Sequence, residues 1–244
     1  MSLSSSTHLR GLIASLLCLY LLSLRSSLSE KAASSDDALS LHRPNNHHLQ
    51  RRQEIPNAAD NPLSATDAGL SRFQQVNTEF FPQQDNSKPL YRSSAPFYDG
   101  VDSSQKYDVR TAKFLQSQGI KTVISLNSHA VSPNFFFLYK GHDVVYVSVP
   151  VVDFKAPTVR EMDKVWEAYK SNRHRGGTVI WCGFGHGRTG TAICALEIRA
   201  QAEKPRIWRT MLDERHFKTH HVETPEQLKQ LTNYQDQVTK QCPK

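Results

Sequence analysis

The chain has few of the residues that build cross-linked or metal-held domains. It contains four cysteines in 244 residues, with no Cys-x-x-Cys pair and no Cys/His spacing typical of a zinc site. Cys18 lies in the N-terminal segment, which leaves Cys182, Cys194 and Cys242, an odd number. The sequence therefore predicts neither a disulfide framework nor a structural zinc site.

Long hydrophobic runs and long runs of one charge are also missing. The one extended apolar stretch, residues 12–24, covers 13 residues and is too short to span a bilayer comfortably. The formal net charge is +7, but there is no Lys/Arg run and no alternation of basic and aromatic residues. We therefore expect no nucleic-acid partner and no stable membrane span, whereas a mildly basic chain suits an anionic substrate.

The N-terminal segment has the pattern of a secretory signal peptide. Arg10 precedes the apolar stretch, Arg25 follows it, and small residues continue to Ser29. We predict a signal peptide at residues 1–29 and a secreted, extracellular protein. An uncleaved N-terminal anchor is the alternative.

Residues 30–85 are polar and lack sustained hydrophobic periodicity, which predicts a disordered segment or a pro-segment. Within it, Arg51-Arg52 is a dibasic pair at which a processing protease could cut, and an ordinary solvated charge pair explains it equally well. We interpret the histidines of this segment as incidental tail residues rather than metal ligands (His42, His47 and His48).

Strand and helix patterns alternate through the rest of the chain. Strands are predicted at residues 89–92, 121–126, 144–149 and 178–181, and helices at 111–118, 134–140, from 159, from 189, at 205–215 and from 225. Thr158 with Glu161 forms a capping box, and Thr224 with Pro225 marks another helix start. This alternation predicts an α/β fold with a mostly parallel central sheet flanked by helices, and a site at the C-terminal strand ends.

The most informative segment is a glycine-rich Cys-x5-Arg loop, residues 182–188, between a short buried strand and a helix. Successive backbone N–H groups and a helix N-terminus at such a turn favour an anion. Arg188 can bind two phosphate oxygens through its planar guanidinium. The same field favours the thiolate of Cys182, which is the nucleophilic form. A glycine-rich turn with an inert buried cysteine is the alternative.

This loop, with Thr189-Gly190 after it, resembles the signature loop of the cysteine-dependent protein-tyrosine and dual-specificity phosphatases. The resemblance extends loosely over residues 90–238. It implies a phosphatase domain at residues 86–240 with the fold of the dual-specificity group, and no metal or cofactor. It also implies that Cys182 is the nucleophile, that the Thr189 hydroxyl stabilises the departing thiolate, and that the substrate contacts the loop itself (Gly183, Phe184, Gly185, His186, Gly187 and Arg188). One residue departs from the family pattern, because Trp181 stands where a histidine usually precedes the nucleophile.

Attack of a thiolate on a phosphate ester requires an acid that protonates the leaving oxygen. Asp153 is the candidate, because it follows the strand at residues 144–149 in a segment that resembles the general-acid loop of dual-specificity phosphatases. A role for Asp153 in shaping the turn before Thr158 is the alternative. Asp143 is the second choice, at the wrong end of that strand. His186 and Lys155 would flank the mouth of the site, where solvated surface charges are the simpler interpretation.

We therefore predict a secreted phosphatase that hydrolyses phosphomonoesters through a cysteinyl-phosphate intermediate. Its substrate would be a phosphorylated protein, on phosphotyrosine and also phosphoserine or phosphothreonine, or a small phosphomonoester. Two alternatives stay open: a catalytically weak pseudophosphatase that binds phosphorylated ligands, which Trp181 favours, and an inositol-phosphate or phosphoinositide phosphatase, for which the loop lacks lysine. No sequence feature predicts an oligomeric state.

Overall fold

The computed structural model describes residues 62–77, 79–81, 88–205 and 209–241. The predicted signal peptide at residues 1–29, the Arg51-Arg52 pair, the three tail histidines and Cys242 lie outside these residues. None of the helices in the described ranges combines the length and the apolar character that a bilayer span requires.

The described chain folds around a five-stranded sheet. Its strands are β1 (Gln74–Gln75), β2 (Leu90–Ser93), β3 (Ile120–Ser125), β4 (Val145–Ser148) and β5 (Gly177–Trp181). They lie in the order β1-β2-β5-β3-β4. β2, β5, β3 and β4 run parallel, and β1 is an antiparallel strand at the edge. The predicted mostly parallel sheet is confirmed.

Six α-helices occur in the described residues. They are α1 (Val109–Ser117), α2 (Pro133–Gly141), α3 (Val159–Asn172), α4 (Gly187–Glu203), α5 (Glu214–Thr219) and α6 (Pro225–Gln241). A short 3-10 turn at Asp102–Ser104 lies between β2 and α1.

The helices cover both faces of the sheet. Ile180 of the central strand β5 packs in one apolar cluster with Val165 of α3 and Leu196 of α4. Its neighbour Val179 packs in a second cluster with Phe114 of α1. Neighbouring residues of a strand point to opposite faces, so β5 is buried on both sides and its C-terminal end is held rigidly in place.

Local signals set several helix ends where the sequence predicted them. Glu161 N donates to Thr158 Oγ1 at 3.3 Å and Thr158 N donates to Glu161 Oε2 at 2.7 Å, which completes the capping box of α3. Gly119, with φ of 68°, follows the end of α1 in the left-handed region that favours glycine. Gln227 N donates to Thr224 Oγ1 at 3.1 Å at the start of α6.

The helix predicted at residues 205–215 is wrong in its described part. Residues 209–213 are not helical, and the helix of this region is α5, which begins after its cap Asp213. Asp213 Oδ1 accepts from His216 N at 2.8 Å. A side chain that accepts a hydrogen bond from a first-turn amide determines the start of a helix more effectively than a stretch of residues with high helix propensity does.

The predicted start of the domain at residue 86 is too late. Residues 62–81 belong to the fold: Leu70 is 1% exposed, Val76 and Phe81 are each 9% exposed, and β1 pairs with β2. The segment has no periodicity because its apolar side chains enter the core one at a time from irregular backbone.

We expect a chain of residues 53–244 to be as stable as the full chain, and a chain of residues 86–244 to be much less stable. The shorter chain loses the buried side chains of Leu70, Val76 and Phe81, each of which stabilises by about 1.5–3 kcal/mol. In a domain of this size 1 kcal/mol shifts Tm by about 2–4 °C, so the shorter chain should melt about 10 °C lower or more. Thermal unfolding followed by circular dichroism measures this, and equal melting of both truncated chains would contradict it.

Candidate functional site

The signature loop, residues 182–188, connects the end of β5 to the first turn of α4. Two of its glycines have no substitute. Gly185 has φ of 95°, and a Cβ there would collide with the carbonyl oxygen of Ser93. A Cβ on Gly183 would collide with Asp102 and with the ring of Tyr98. The glycines therefore let the loop fold tightly against β2 and the turn at residue 102.

Cys182 lies at the point where the chain leaves β5. It is 2% exposed, and Gly185 N donates to its Sγ at 3.3 Å. Cys182 and Cys194 are both free. Burial and the nearby Glu197 raise the pKa of the Cys194 thiol well above its usual value, so of these two cysteines Cys182 is the one placed to react.

Cys182 and Arg188 open on a pocket of about 240 Å³. Aromatic and polar side chains complete its lining (Tyr98, Asp153, Phe154, Phe184, His186, Glu223 and Gln227). The structure therefore brings together three of the four predicted catalytic residues in one concave site, two from the signature loop and Asp153 from the loop after β4.

Arg188 is held by a pair of parallel hydrogen bonds to Asp102. Its Nη1 donates to Asp102 Oδ2 at 2.6 Å and its Nη2 donates to Asp102 Oδ1 at 2.8 Å. Nη1 also donates to the carbonyl oxygen of Val151 at 2.9 Å. The Arg188 side chain is 3% exposed and that of Asp102 is 6% exposed, so this is a buried, geometrically fixed ion pair.

Asp102 is a site residue that the sequence analysis missed. Burial alone would raise the pKa of its carboxyl group, but hydrogen bonds from Arg188 and Ser128 outweigh burial and lower the pKa below its usual value. Ser128 contributes both its amide and its hydroxyl, at 2.9 and 2.8 Å. Asp102 is an ordinary residue of a polar segment, and nothing in the local sequence indicates that it meets Arg188.

Asp153 lies where the sequence predicted it, in the loop that follows β4. Its Oδ1 is 2.6 Å from Arg188 Nη2, and its side chain is 42% exposed, so the carboxylate is both within the site and open to solvent. The adjacent Phe154 has φ of 60° and is 67% exposed. Asp143, the second choice, pairs with Lys121 and Arg175 at the other end of β4.

Thr189 is fully buried in the first turn of α4, and its Oγ1 has no hydrogen-bond partner among the described residues. The hydroxyl–sulfur contact implied by the family resemblance is thus not formed in the structure. A buried hydroxyl without a partner is costly.

Of the two basic residues expected to flank the mouth of the site, His186 lines the pocket and Lys155 is a solvated surface charge. Burial first, then His221, Arg92 and Arg72, lower the pKa of His186 to about 4, so its imidazole is neutral at neutral pH. It stacks on the ring of His221 at 4.3 Å between centroids. Lys155 forms an exposed ion pair with Glu226 at 3.5 Å and is not among the pocket residues.

Arg92, at the C-terminal end of β2, is a second buried cation beside the loop. It is 3% exposed, and its Nη2 and Nε donate to the carbonyl oxygen of Gly185 at 2.6 and 3.3 Å. Its Nη1 donates to the carbonyl oxygen of His220 at 3.1 Å. Arg92 therefore ties the loop to the end of α5 and adds positive potential near Cys182.

Trp181 packs as the last residue of β5. It is fully buried among the residues of the second cluster, and its Nε1 donates to Ser125 Oγ at 2.9 Å. The indole thus anchors the base of the signature loop to β3. The structural support that a histidine provides in the family pattern comes here from packing and one hydrogen bond.

A family model for the phosphatase domain of Swiss Army Knife proteins, of the dual-specificity and protein-tyrosine phosphatase type (PTP-SAK), matches residues 100–237, more than half of the chain. The chain belongs to this family. It is therefore a cysteine-dependent phosphatase of the dual-specificity type by descent, as the signature loop indicated.

The chain is similar to several solved structures. Kinase-associated phosphatase, with its catalytic-site cysteine replaced by serine, is 15% identical over 63% of this chain and 89% of that chain, with a TM-score of 0.50. PTPMT1 in complex with PI(5)P is 16% identical over 68% of this chain and 100% of that chain (TM-score 0.48). Tk-PTP in its active form is 18% identical over 62% and 93% (TM-score 0.45). No curated protein matches the chain.

We expect Asp102→Asn to destabilise the protein and to loosen Arg188. Removing one partner of a buried ion pair costs about 3–5 kcal/mol, and here the cost should be at the lower end because the Val151 carbonyl and Asp153 remain. Urea unfolding measures the change in free energy. Asp99→Asn, at an exposed position of the same segment, is the matched control and should leave the unfolding midpoint unchanged.

Proposed function

We propose that this family member hydrolyses phosphomonoesters through a cysteinyl-phosphate intermediate, with phosphotyrosine as its preferred group and phosphoserine or phosphothreonine as further substrates. The observation that carries the proposal is the meeting of Cys182, Arg188 and Asp153 in one pocket, with a backbone amide already directed at the sulfur.

The site is suited to a phosphate dianion. The N-terminus of α4 opens on the pocket at Gly187, and helix N-termini attract anions through their amides and the helix dipole. A carboxylate already uses this property, because Gly187 N donates to Glu223 Oε2 at 3.1 Å. Asp102 accepts one hydrogen bond from each of Nη1 and Nη2 of Arg188. The edge formed by Nε and Nη2 is therefore the one to which a phosphate can bind.

Binding of a phosphate would move Asp153. In the free protein its carboxylate sits on Arg188 Nη2, the atom that a substrate phosphate needs. A dianion that binds Arg188 would displace the carboxylate from that nitrogen. Asp153 would then lie beside the leaving oxygen, where an acid is needed.

The chemistry proceeds in two balanced steps. In the first, Cys182 Sγ forms a bond to phosphorus while the bond from phosphorus to the ester oxygen breaks, and Asp153 gives its proton to that oxygen. In the second, a water attacks phosphorus, Asp153 accepts a proton from the water, and the sulfur–phosphorus bond breaks to return the thiolate. Thr189 Oγ1, which lacks a partner in the described residues, would donate to the returning thiolate.

The walls of the pocket favour an aryl phosphate. Tyr98, Phe154 and Phe184 line it, and aromatic side chains of this kind pack against the ring of a phosphotyrosine. Arg188 is the one lysine or arginine of the described pocket lining, His186 is neutral, and Glu223 adds a negative charge. This balance disfavours a multiply phosphorylated inositol.

A pseudophosphatase is the second candidate, because Trp181 replaces the expected histidine. The position of Trp181 argues for turnover instead, since its indole supports the loop through Ser125 and leaves Cys182 and Arg188 in place. Assays of the full-length protein under reducing conditions against a phosphotyrosine peptide, a phosphothreonine peptide and inositol hexakisphosphate separate the candidates. Binding without phosphate release on all three would favour the pseudophosphatase.

We also propose that the protein enters the secretory pathway, on the strength of the apolar segment at residues 12–24 and its arginine flanks. Expression of the full chain in a eukaryotic cell, followed by N-terminal sequencing of the protein in the medium, tests this. Protein that stays in the cytosol with residue 1 intact would contradict it.

We expect Asp153→Asn to lower kcat on an alkyl phosphate by about 10²–10⁴-fold, because the leaving alkoxide then lacks its acid. The loss should be much smaller on a nitrophenyl phosphate, whose leaving group needs no proton. Asp143 is a surface carboxylate at the other end of β4, so Asp143→Asn is the matched control and should keep wild-type rates. An equal loss on both substrates for Asp153→Asn would assign Asp153 to structure rather than to acid catalysis.

Cys182→Ser should abolish turnover on both substrates while phosphate binding persists.

A further inference from the structure

A second cluster of chemically reactive side chains lies behind the signature loop. Glu197 of α4 is fully buried, and two histidines face it: His216 in the first turn of α5, with 23% of its side chain exposed, and His220 directly after the last residue of α5, with 10% exposed. Glu197 Oε2 is 2.6 Å from His216 Nε2, and Glu197 Oε1 is 3.1 Å from His220 Nε2. The phosphatase chemistry described above uses none of the three.

The donor set fits a divalent cation. Two imidazole nitrogens and a carboxylate are a ligand set that zinc takes, at about 2.0–2.2 Å from each atom, which places the ligand atoms about 3–3.5 Å apart. Ligand atoms of the three residues all lie within 4.8 Å of one another. The hydrogen bond of 2.6 Å between Glu197 and His216 would open by about 0.5–1 Å to admit the ion. His216 and His220 are four residues apart, and both rings face Glu197.

The surroundings leave room for a further ligand. The three residues line a cavity of about 720 Å³, which also has Asn77, Glu79 and Thr219 in its wall, so water or an oxygen ligand can reach the cluster. Phe80 packs edge-on against the ring of His216, with 5.0 Å between centroids, and shields one side. A zinc ion with three protein ligands keeps a fourth position for such a ligand.

We propose that Glu197, His216 and His220 form a zinc-binding site that fastens α5 to α4 behind the signature loop. The backbone links this cluster to the loop: the His220 carbonyl accepts from Arg92, whose guanidinium also binds the Gly185 carbonyl. Gly190 of α4 lies so close to the His220 carbonyl that a Cβ there would collide with it. A metal ion on His220 therefore fixes the segment on which Arg92 and the loop rest.

The test is a zinc titration of the full-length, chelator-treated protein by calorimetry, with Tm measured with and without zinc. We expect one zinc per chain, a rise in Tm on zinc addition, and a zinc affinity lower by about tenfold or more in Glu197→Gln, His216→Ala and His220→Ala. Two controls should bind zinc as the wild type does: Cys182→Ser, and a variant in which His42, His47 and His48 are all alanine.

Three results would overturn the proposal: no zinc bound by the wild type at micromolar concentration, loss of binding in either control, or unchanged affinity in Glu197→Gln. The last would leave the cluster as a hydrogen-bonded ion pair. If an alanine variant fails to fold, Glu197→Gln decides, because it keeps the size of the side chain and one acceptor oxygen. Cobalt substitution gives a second measurement: a spectrum without a thiolate charge-transfer band is expected, and such a band would place the metal on a cysteine instead.

Discussion

The buried ion pair between Arg188 and Asp102 is the interaction on which the rest of the site depends. Asp102 accepts one hydrogen bond from each terminal nitrogen of the guanidinium and so fixes its orientation in the pocket. An arginine side chain loses considerable rotational freedom when it is fixed. Here that loss occurs during folding, so the side chain is already organised in the pocket.

Two buried arginines support the loop in different ways. Arg188 reaches into the pocket, whereas Arg92 lies beside the loop and binds its backbone at Gly185. Burial lowers the pKa of Arg92 from its usual value, and Cys182, Cys194 and Glu223 oppose that effect. An arginine stays charged at neutral pH, so both guanidinium groups add positive potential beside the signature loop.

Trp181 shows how one departure from a family pattern can be absorbed by packing. The residue before the nucleophile is the last of β5, where β2 and β3 pair on either side, so its side chain must fit the core. An indole fills that space and keeps one hydrogen bond, to Ser125. An indole supplies neither a charge nor a hydrogen-bond acceptor. The backbone amides and the two arginines are therefore the groups that act on the sulfur of Cys182.

Local sequence by itself determined the strand, the loop and the helix that carry Cys182 and Arg188. Three kinds of signal act within a few residues: the glycine pattern, the apolar strand before it, and the capping residues Thr158 and Thr224. Short-range signals of this kind can be identified from the sequence. Asp153 was located from its place after a predicted strand together with the resemblance of its segment to a family's general-acid loop. The end of a parallel strand determines on which edge of the sheet the following loop lies.

Only the tertiary structure decided which distant residues complete the site. Asp102 meets Arg188 from 86 positions away, and Arg92 reaches Gly185 from 93 positions away, with no local pattern at either end. Tertiary packing likewise brings together the core residues among 62–81 and the cluster of Glu197, His216 and His220. Their partners come from other elements, and the free energy of burying a charge or an isolated apolar side chain depends on what packs against it.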